Sequence, residues 1–384
     1  MVSTSTGEVS GGAAESLNGF SRQSIFESIT SRRLELIILP TEKCNLRCTY
    51  CYEDFAIGKM SEATQAAIER LIDRRARDLD ILEFSWFGGE PLSAKDVILR
   101  LSKYASRVCG DNKVEFRGGM TTNAVQLSPS LLEELLDCNQ NFFQVTLDGW
   151  KGVHDQVRRY ANGRGSFDQI WSNLVSAKMI ERDFDFVIRV HVRRDNINDL
   201  DELMRQLGRE FGSDRRFRLD FQHLRNLGGS GGKTVKHAVT MSEMFEIEQR
   251  LRVVHAEAAG IKRPAASAVG SGAVKEFEIR QSSESAGSRR RDEAASEERY
   301  ICYAAKPNSL LIRADGRLGK CTVAFDDDRN TIGSLQSDGT IQIDNSKLAP
   351  WVRGLSGFNP GSLACPLQGM SAVAPKRHSA VAAE

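Results

Sequence analysis

The sequence carries almost no net charge. Its 52 Lys and Arg residues are offset by 51 Asp and Glu residues, leaving a formal charge of +1. A chain so balanced exerts no overall pull on nucleic acid or on a membrane surface, so neither is expected as a partner. Long apolar runs are missing too, and none approaches the roughly 18 residues of a membrane span. The stretch from Met1 to Asn18 is rich in Ser, Thr, Gly and Ala and lacks the apolar core of a secretory signal. It reads as a disordered leader, over residues 1–25, on a cytoplasmic protein. Cysteine is sparse, eight in 384 residues, which excludes a disulfide framework. Reducing, oxygen-poor surroundings suit these thiols better. Hydrophobic residues make up 40% of the chain, enough for a sizeable core in one large domain or two smaller ones.

What is present is a regular alternation. Apolar, strand-like runs at Leu34–Leu39, Ile81–Phe87, Val114–Thr122, Phe143–Leu147, Phe186–Val192 and Phe217–Phe221 are each followed by a segment with helical spacing. Ser128-Pro129 supplies an N-cap and a proline for the first helical position. Ser166 with Gln169, and Thr240 with Glu243, have the spacing of capping boxes. Strand-helix units in series predict parallel βαβ crossovers of one hand. Six of them fall short of the eight that close a barrel. The expected fold is α/β, a partial (β/α)6 barrel over residues 30–258, with its chemistry at the C-terminal strand ends. Composition then turns to Ser, Ala, Gly, Arg and Glu over residues 259–299, the mark of a flexible insert. Its Arg289-Arg290-Arg291 run reads as solvated linker or as a site for an acidic peptide. Strand-like runs with turn signals at Asp315-Gly316 and Ser337-Asp338-Gly339 predict a small β-rich module over 300–375, followed by a tail at 376–384.

The first strand empties into Cys44-x3-Cys48-x2-Cys51, with Tyr50 before the third cysteine. Three thiolates aimed at one point are one short of the four that usually close a four-iron cluster, which leaves one iron open. The alternatives are a zinc site or three incidental buried thiols. A zinc site usually shows paired C-x2-C modules, and no His or fourth Cys lies nearby in sequence.

This motif resembles that of the radical S-adenosylmethionine (radical SAM) enzymes. The resemblance implies a 4Fe-4S cluster on Cys44, Cys48 and Cys51, with S-adenosylmethionine chelated to the open iron. It also implies reductive cleavage to a 5′-deoxyadenosyl radical that abstracts hydrogen from an unactivated carbon, and the partial barrel agrees with the family fold. Gly88-Gly89-Glu90-Pro91 resembles the family's GGEP motif, whose backbone and Glu contact the amino group of S-adenosylmethionine. Tyr50 would offer its backbone and ring to the adenine. Thr121-Thr122-Asn123-Ala124 is similar to the TNG segment, with Ala in place of Gly; Asn123 is a polar contact or a turn former. Thr146-Leu147-Asp148-Gly149 is similar to the SLDG motif, with Thr146 keeping the hydroxyl. His154-Asp155-Gln156-Val157-Arg158 is similar to HDxxR. Arg158, or the adjacent Arg159, would pair with the methionyl carboxylate. Arg189, His191 and Arg193 share one face of strand five, pointing into the barrel or to solvent, and His223 ends strand six. No single residue is assigned as catalytic.

Cys302, Gly316 and Cys321, with Cys365-Pro366, resemble a degenerate SPASM or twitch module, the auxiliary-cluster domain of peptide-modifying radical SAM enzymes. Ser362, Ser371 and Ala374 stand near positions where that family has cysteines. Two auxiliary clusters at four ligands each are excluded. One cluster on Cys302, Cys321 and Cys365, or a cluster-free module, remains open. Cys109 and Cys138 read as buried thiols. The resemblance implies an oxidoreductase acting on a ribosomally synthesised precursor peptide, by crosslinking (cyclophane or thioether) or epimerisation, with an external flavodoxin- or ferredoxin-type electron donor. A sulfatase-maturase-like oxidase making formylglycine, and a non-catalytic iron–sulfur scaffold or electron carrier, are the rivals.

Overall fold

The computed structural model describes residues 17–232, 234–235, 238–261 and 299–370. The Arg289–Arg291 run, most of the expected insert, the tail and the first sixteen residues of the expected leader lie outside them. The remainder of that leader is in part helical. Ser21 accepts a hydrogen bond from the Ser24 amide and opens helix α1, Arg22–Ile29. Its Glu27 pairs with Arg33 at 3.2 Å, and Asn308 donates to the Glu27 and Thr30 carbonyls, so α1 is tied to the N-terminal end of the first strand.

From there the chain runs β1 Arg33–Ile38, α2 Glu62–Arg75, β2 Ile81–Trp86, α3 Lys95–Asn112, β3 Glu115–Thr122, α4 Pro129–Asp137 and β4 Gln140–Leu147. It continues with α5 Lys151–Val157, α6 Phe167–Ala177, β5 Asp185–Val192, α7 Leu200–Phe211, β6 Phe217–His223, the single turn α8 Gly229–Gly232 and α9 Met241–Ala258. Strands β1 to β6 are parallel and adjacent in sequence order. The sheet does not close, so the partial barrel is what forms. Alternation along each strand sends one set of side chains outward under the helices. Leu34, Leu36, Ile38, Leu82 and Phe84 are all but fully buried there, each burial stabilising the fold by about 1.5–3 kcal/mol.

Caps decide where several helices start. Ser128 accepts from the Leu131 amide with Pro129 next in line, and Thr240 and Glu243 form the expected capping box. The Ser166 box does not form. Asp155 takes that role, accepting from the Ser166 and Phe167 amides at 2.8 and 2.9 Å. The Ser166 hydroxyl turns instead to the Arg158 carbonyl at 2.7 Å.

The C-terminal strands β7 Ser309–Ile312, β8 Arg317–Gly319, β9 Gly333–Leu335 and β10 Ile341–Ile343 are followed by helices α10 Asn345–Val352 and α11 Pro360–Ala364. They do not build a sheet of their own. β7 adds parallel to β1, and β8, β9 and β10 follow antiparallel, giving one ten-stranded sheet with edges at β10 and β6. The expected β-rich module is therefore the far wing of the barrel sheet.

Candidate active site

The C-terminal ends of β1 to β6 surround a cavity of about 240 Å³, whose walls include all three cysteines of the first loop. The loop is held from two sides. The Arg47 amide donates to the Arg159 carbonyl at 2.7 Å and the Thr49 amide to the Val157 carbonyl at 3.0 Å. This lacing sets Arg158 against the cysteine loop. On the other side the Gly231 amide donates to the Cys51 carbonyl at 3.1 Å, and the Thr234 hydroxyl donates to the Thr49 carbonyl at 3.1 Å. A Cβ on Gly231 would collide with the Cys51 carbonyl. The glycine run Gly228–Gly232 is thus the backbone cap of the cysteine loop, a role the sequence marked only by its glycine content.

Gly88 and Gly89 do more than border the cavity. A Cβ on Gly89 would stand 2.6 Å from the Lys43 carbonyl carbon and 2.7 Å from the Glu42 oxygen. The pair lets the end of β2 meet the backbone of the cysteine loop, where the Glu90 amide donates to the Lys43 carbonyl at 3.0 Å. Gly89→Ala is expected to cost about 1–3 kcal/mol by overpacking. A melting temperature equal to wild type would show that this junction yields freely.

Glu90 is buried and heavily bonded. Its carboxylate accepts from the Leu92 amide at 3.0 Å, the Thr122 hydroxyl at 2.6 Å and the Asn123 amide at 2.7 Å. Burial still raises its pKa. A carboxylate offers about four lone-pair sites, so one remains for a ligand's ammonium. Asn123 forms a turn, its Oδ1 accepting from the Val125 amide, and its Nδ2 donates to Asn45 Oδ1 at 2.7 Å. Ala124, standing where the resembled segment has Gly, holds a φ of +59°, a left-handed conformation that costs an L-residue about 1–2 kcal/mol.

The Tyr50 hydroxyl is the hub of a buried network. It donates to Asp148 Oδ2 at 2.5 Å, accepts from Arg158 Nη1 at 2.8 Å and lies 3.2 Å from His191 Nδ1. His191 Nδ1 is also 3.2 Å from Asp148 Oδ1, with Arg193 Nη1 at 3.7 Å. Burial opposes charge on Asp148, but His191, Arg158 and Arg193 hold its carboxyl well below the usual range. Strand five therefore turns its charged face inward. Asp148 belongs to the Thr146–Gly149 motif, and Thr146 beside it lines the cavity. His154 and Asp155 are both engaged in hydrogen bonds within the fold. His154 is buried between the Asp148 amide and the Ser166 hydroxyl, and burial together with Arg158 pushes its pKa down to about 3. Arg159 is exposed while Arg158 borders the cavity, so of the two adjacent arginines Arg158 faces the site. His223 also borders it.

The residues fit a cluster with a bound amino acid moiety. Burial pushes the Cys51 thiol up to about 12, with Glu53 adding to it, and raises Cys44 and Cys48 as well. Thiolates at these places need a cationic body beside them. Cys44 Sγ accepts from the Leu46 amide at 3.3 Å, and hydrogen bonds to the sulfurs tune a cluster's potential. Among the described residues no three His, Cys, Asp or Glu side chains converge to grip a single ion; the three thiols fringe the cavity instead. Arg158 Nε is buried without a hydrogen-bond partner, an orphan donor suited to a carboxylate.

In the C-terminal wing, Cys302 and Cys321 are buried and Cys365 is half-buried, with no disulfide formed. The Cys302 amide donates to the Leu363 carbonyl at 2.8 Å, and the Thr322 amide to the Tyr303 hydroxyl at 3.0 Å. These bonds bring the three segments into one neighbourhood. The cavity takes Tyr303, Thr322 and Val323 from them, not the cysteines. Cys109 and Cys138 are buried away from the site, as expected.

Fold and site together define a radical SAM domain: residues 38–207 match the family model described as the Radical SAM superfamily. The chain is 29% identical over 147 residues to a probable GTP 3′,8-cyclase of Archaeoglobus fulgidus, covering 37% of this chain and 44% of that protein. It is 26% identical over 160 residues to a cysteine-type anaerobic sulfatase-maturating enzyme of Clostridium novyi, covering 37% and 40%. The matched stretches thus span less than half of these curated relatives. Among solved structures, anSMEcpe with bound AdoMet aligns with a TM-score of 0.57 at 16% identity, over 82% of this chain and 80% of that one. Streptococcus suis SuiB bound to precursor peptide SuiA aligns at 0.53 and 15% identity, over 89% and 71%. These likenesses concern the fold. No described helix is long and apolar enough to cross a membrane.

Proposed function

We propose that this protein cleaves S-adenosylmethionine reductively and uses the resulting carbon radical to abstract hydrogen from a ribosomally synthesised peptide. The product would be a crosslink, either cyclophane or thioether, or an epimerised residue. The observation that carries this reading is that Cys44, Cys48 and Cys51 border the same cavity as Glu90, Thr146 and Arg158. A 4Fe-4S cluster on those cysteines would supply the electron, itself drawn from an external flavodoxin- or ferredoxin-type donor. The chain's own contribution is binding and orientation. Glu90 keeps one acceptor site for the ammonium group. Arg158, held by Tyr50 and beside Asp148, keeps an N–H without a hydrogen-bond partner that would serve the carboxylate. Burial, Glu42 and Asp54 push the Glu53 carboxyl up to about 8, so this cavity-lining acid is mostly neutral near pH 7.

Peptide substrates are favoured by the likeness to anSMEcpe and to SuiB, the latter aligned in its precursor-bound form. A nucleotide triphosphate, suggested by the GTP cyclase relatives, finds less support. Arg189, a cation that borders the cavity, is already engaged by Asp220 at 2.8 Å. The second reading is a sulfatase-maturase-like oxidase, which the Clostridium novyi relative favours and the reduced C-terminal cysteine set opposes. Cys302, Cys321 and Cys365 would carry one auxiliary cluster or none. Anaerobic reconstitution with iron and sulfide, then dithionite and S-adenosylmethionine, is expected to yield 5′-deoxyadenosine, with about four irons per chain for a single cluster and about eight for two. Persistent absence of that nucleoside would leave a non-catalytic scaffold.

A further inference from the structure

The inner face of the barrel is charged, and its charges are almost all paired. Arg33 lies 2.6 Å from Glu83, Arg189 2.8 Å from Asp220, and Arg158, His191 and Arg193 gather around Asp148. Glu35 is the exception. It shares the inner face of β1 with Arg33 and Ile37 and borders the cavity. Among the described residues it enters no ion pair, and its carboxylate accepts one side-chain hydrogen bond, from the Ser85 hydroxyl at 3.3 Å. Arg33 and the buried amine of Lys320 act on it through space, but neither forms an ion pair with it: Arg33 is paired with Glu83, and the Lys320 amine is bonded to the Lys306 and Ser309 carbonyls. A part-buried carboxylate with most of its acceptor sites open is costly unless a cation arrives.

Position narrows what that cation can be. Glu35 lies three residues below the end of β1 at Ile38, roughly 10 Å down the strand. A short cationic group cannot descend that far from a chain lying across the strand ends. A long aliphatic stem can, and Ile37 and Val323 line the way. We propose that Glu35 is the floor of a subsite for a lysine or arginine side chain of the peptide substrate. This deepens the peptide reading above and rests on it.

The test uses the full-length protein, reconstituted anaerobically, immobilised with S-adenosylmethionine and exposed to a random decapeptide library. Wild type is expected to enrich Lys and Arg roughly tenfold at one position, the discrimination that one charge-assisted contact provides. Glu35→Gln is expected to bring that enrichment to about one, with Glu35→Asp keeping its sign. Replacing the selected lysine by norleucine in a single peptide should weaken binding to wild type by the same factor, a readout that needs no variant to fold. Enrichment of Asp or Glu, indifference to charge, or a Lys preference that survives Glu35→Gln would each overturn the subsite. Formation of 5′-deoxyadenosine without peptide tests the underlying reading separately. Its absence would sink the enzyme, while its presence with no basic preference would sink only the subsite.

Discussion

Cys44→Ala is expected to abolish 5′-deoxyadenosine formation and to remove most of the iron that reconstitution places on the N-terminal loop. The loop offers three sulfurs where a four-iron cluster usually takes four, so a second vacancy leaves two protein ligands. The thiols are also unsuited to independent roles. Burial raises the pKa of each of the three, so without an adjoining metal body they stay protonated and unreactive. Cys109→Ala is the matched control. That thiol is buried on α3, away from the cavity, and its loss should leave iron content unchanged. Retained nucleoside formation in Cys44→Ala, or iron loss of equal size in both variants, would contradict the ligand assignment.

Arg313→Met is expected to give a large loss of stability. Arg313, just past β7, makes a two-pronged ion pair with Glu42 in the cysteine loop, Nε to Oε1 at 2.9 Å and Nη2 to Oε2 at 2.6 Å. Both residues are buried, at 7% and 3% exposure, and the guanidinium also lies over the Phe325 ring at 5.1 Å. Removing one partner strands a charge in the interior, at about 3–5 kcal/mol. At about 2–4 °C per kcal/mol, the melting temperature should fall by roughly 10 °C. Replacing both partners, Glu42→Leu with Arg313→Met, should recover much of that loss, because two fitted apolar side chains leave no charge unpaired. A single variant within about 1 kcal/mol of wild type would mean that the pair contributes no more than a surface contact.

This pair also explains why a C-terminal wing joins the barrel sheet. β7 pairs with β1, the strand that delivers the cysteine loop. The Arg313–Glu42 bond then fixes that loop from the C-terminal side, while residues 157–159 and Gly231 hold it from the others. Four separate stretches of chain, the end of β2 at Glu90 among them, clasp the loop between β1 and α2, which has no regular structure of its own beyond isolated bridges.

Much of this was legible along the chain, and the limit has a physical cause. Strand and helix order, the Ser128 and Thr240 caps and the cysteine loop are local: periodicity, capping chemistry and spacing operate within a few residues. Ser166 failed as a cap because Asp155, eleven residues upstream, competed for the same amides, and only the fold could bring it there. The same holds for Asp148. Its carboxylate lay in plain view beside Thr146, but its meaning comes from Tyr50, Arg158 and His191, which converge on it from three other elements. Whether Arg189 and His191 faced cavity or solvent depended on how far the sheet curls, which no strand encodes alone. The sequence by itself determined which residues could bind sulfur, cation and anion. The tertiary structure alone decided which charges are paired and which, like that of Glu35, stand open, because pairing is a matter of distances across the barrel and not along the chain.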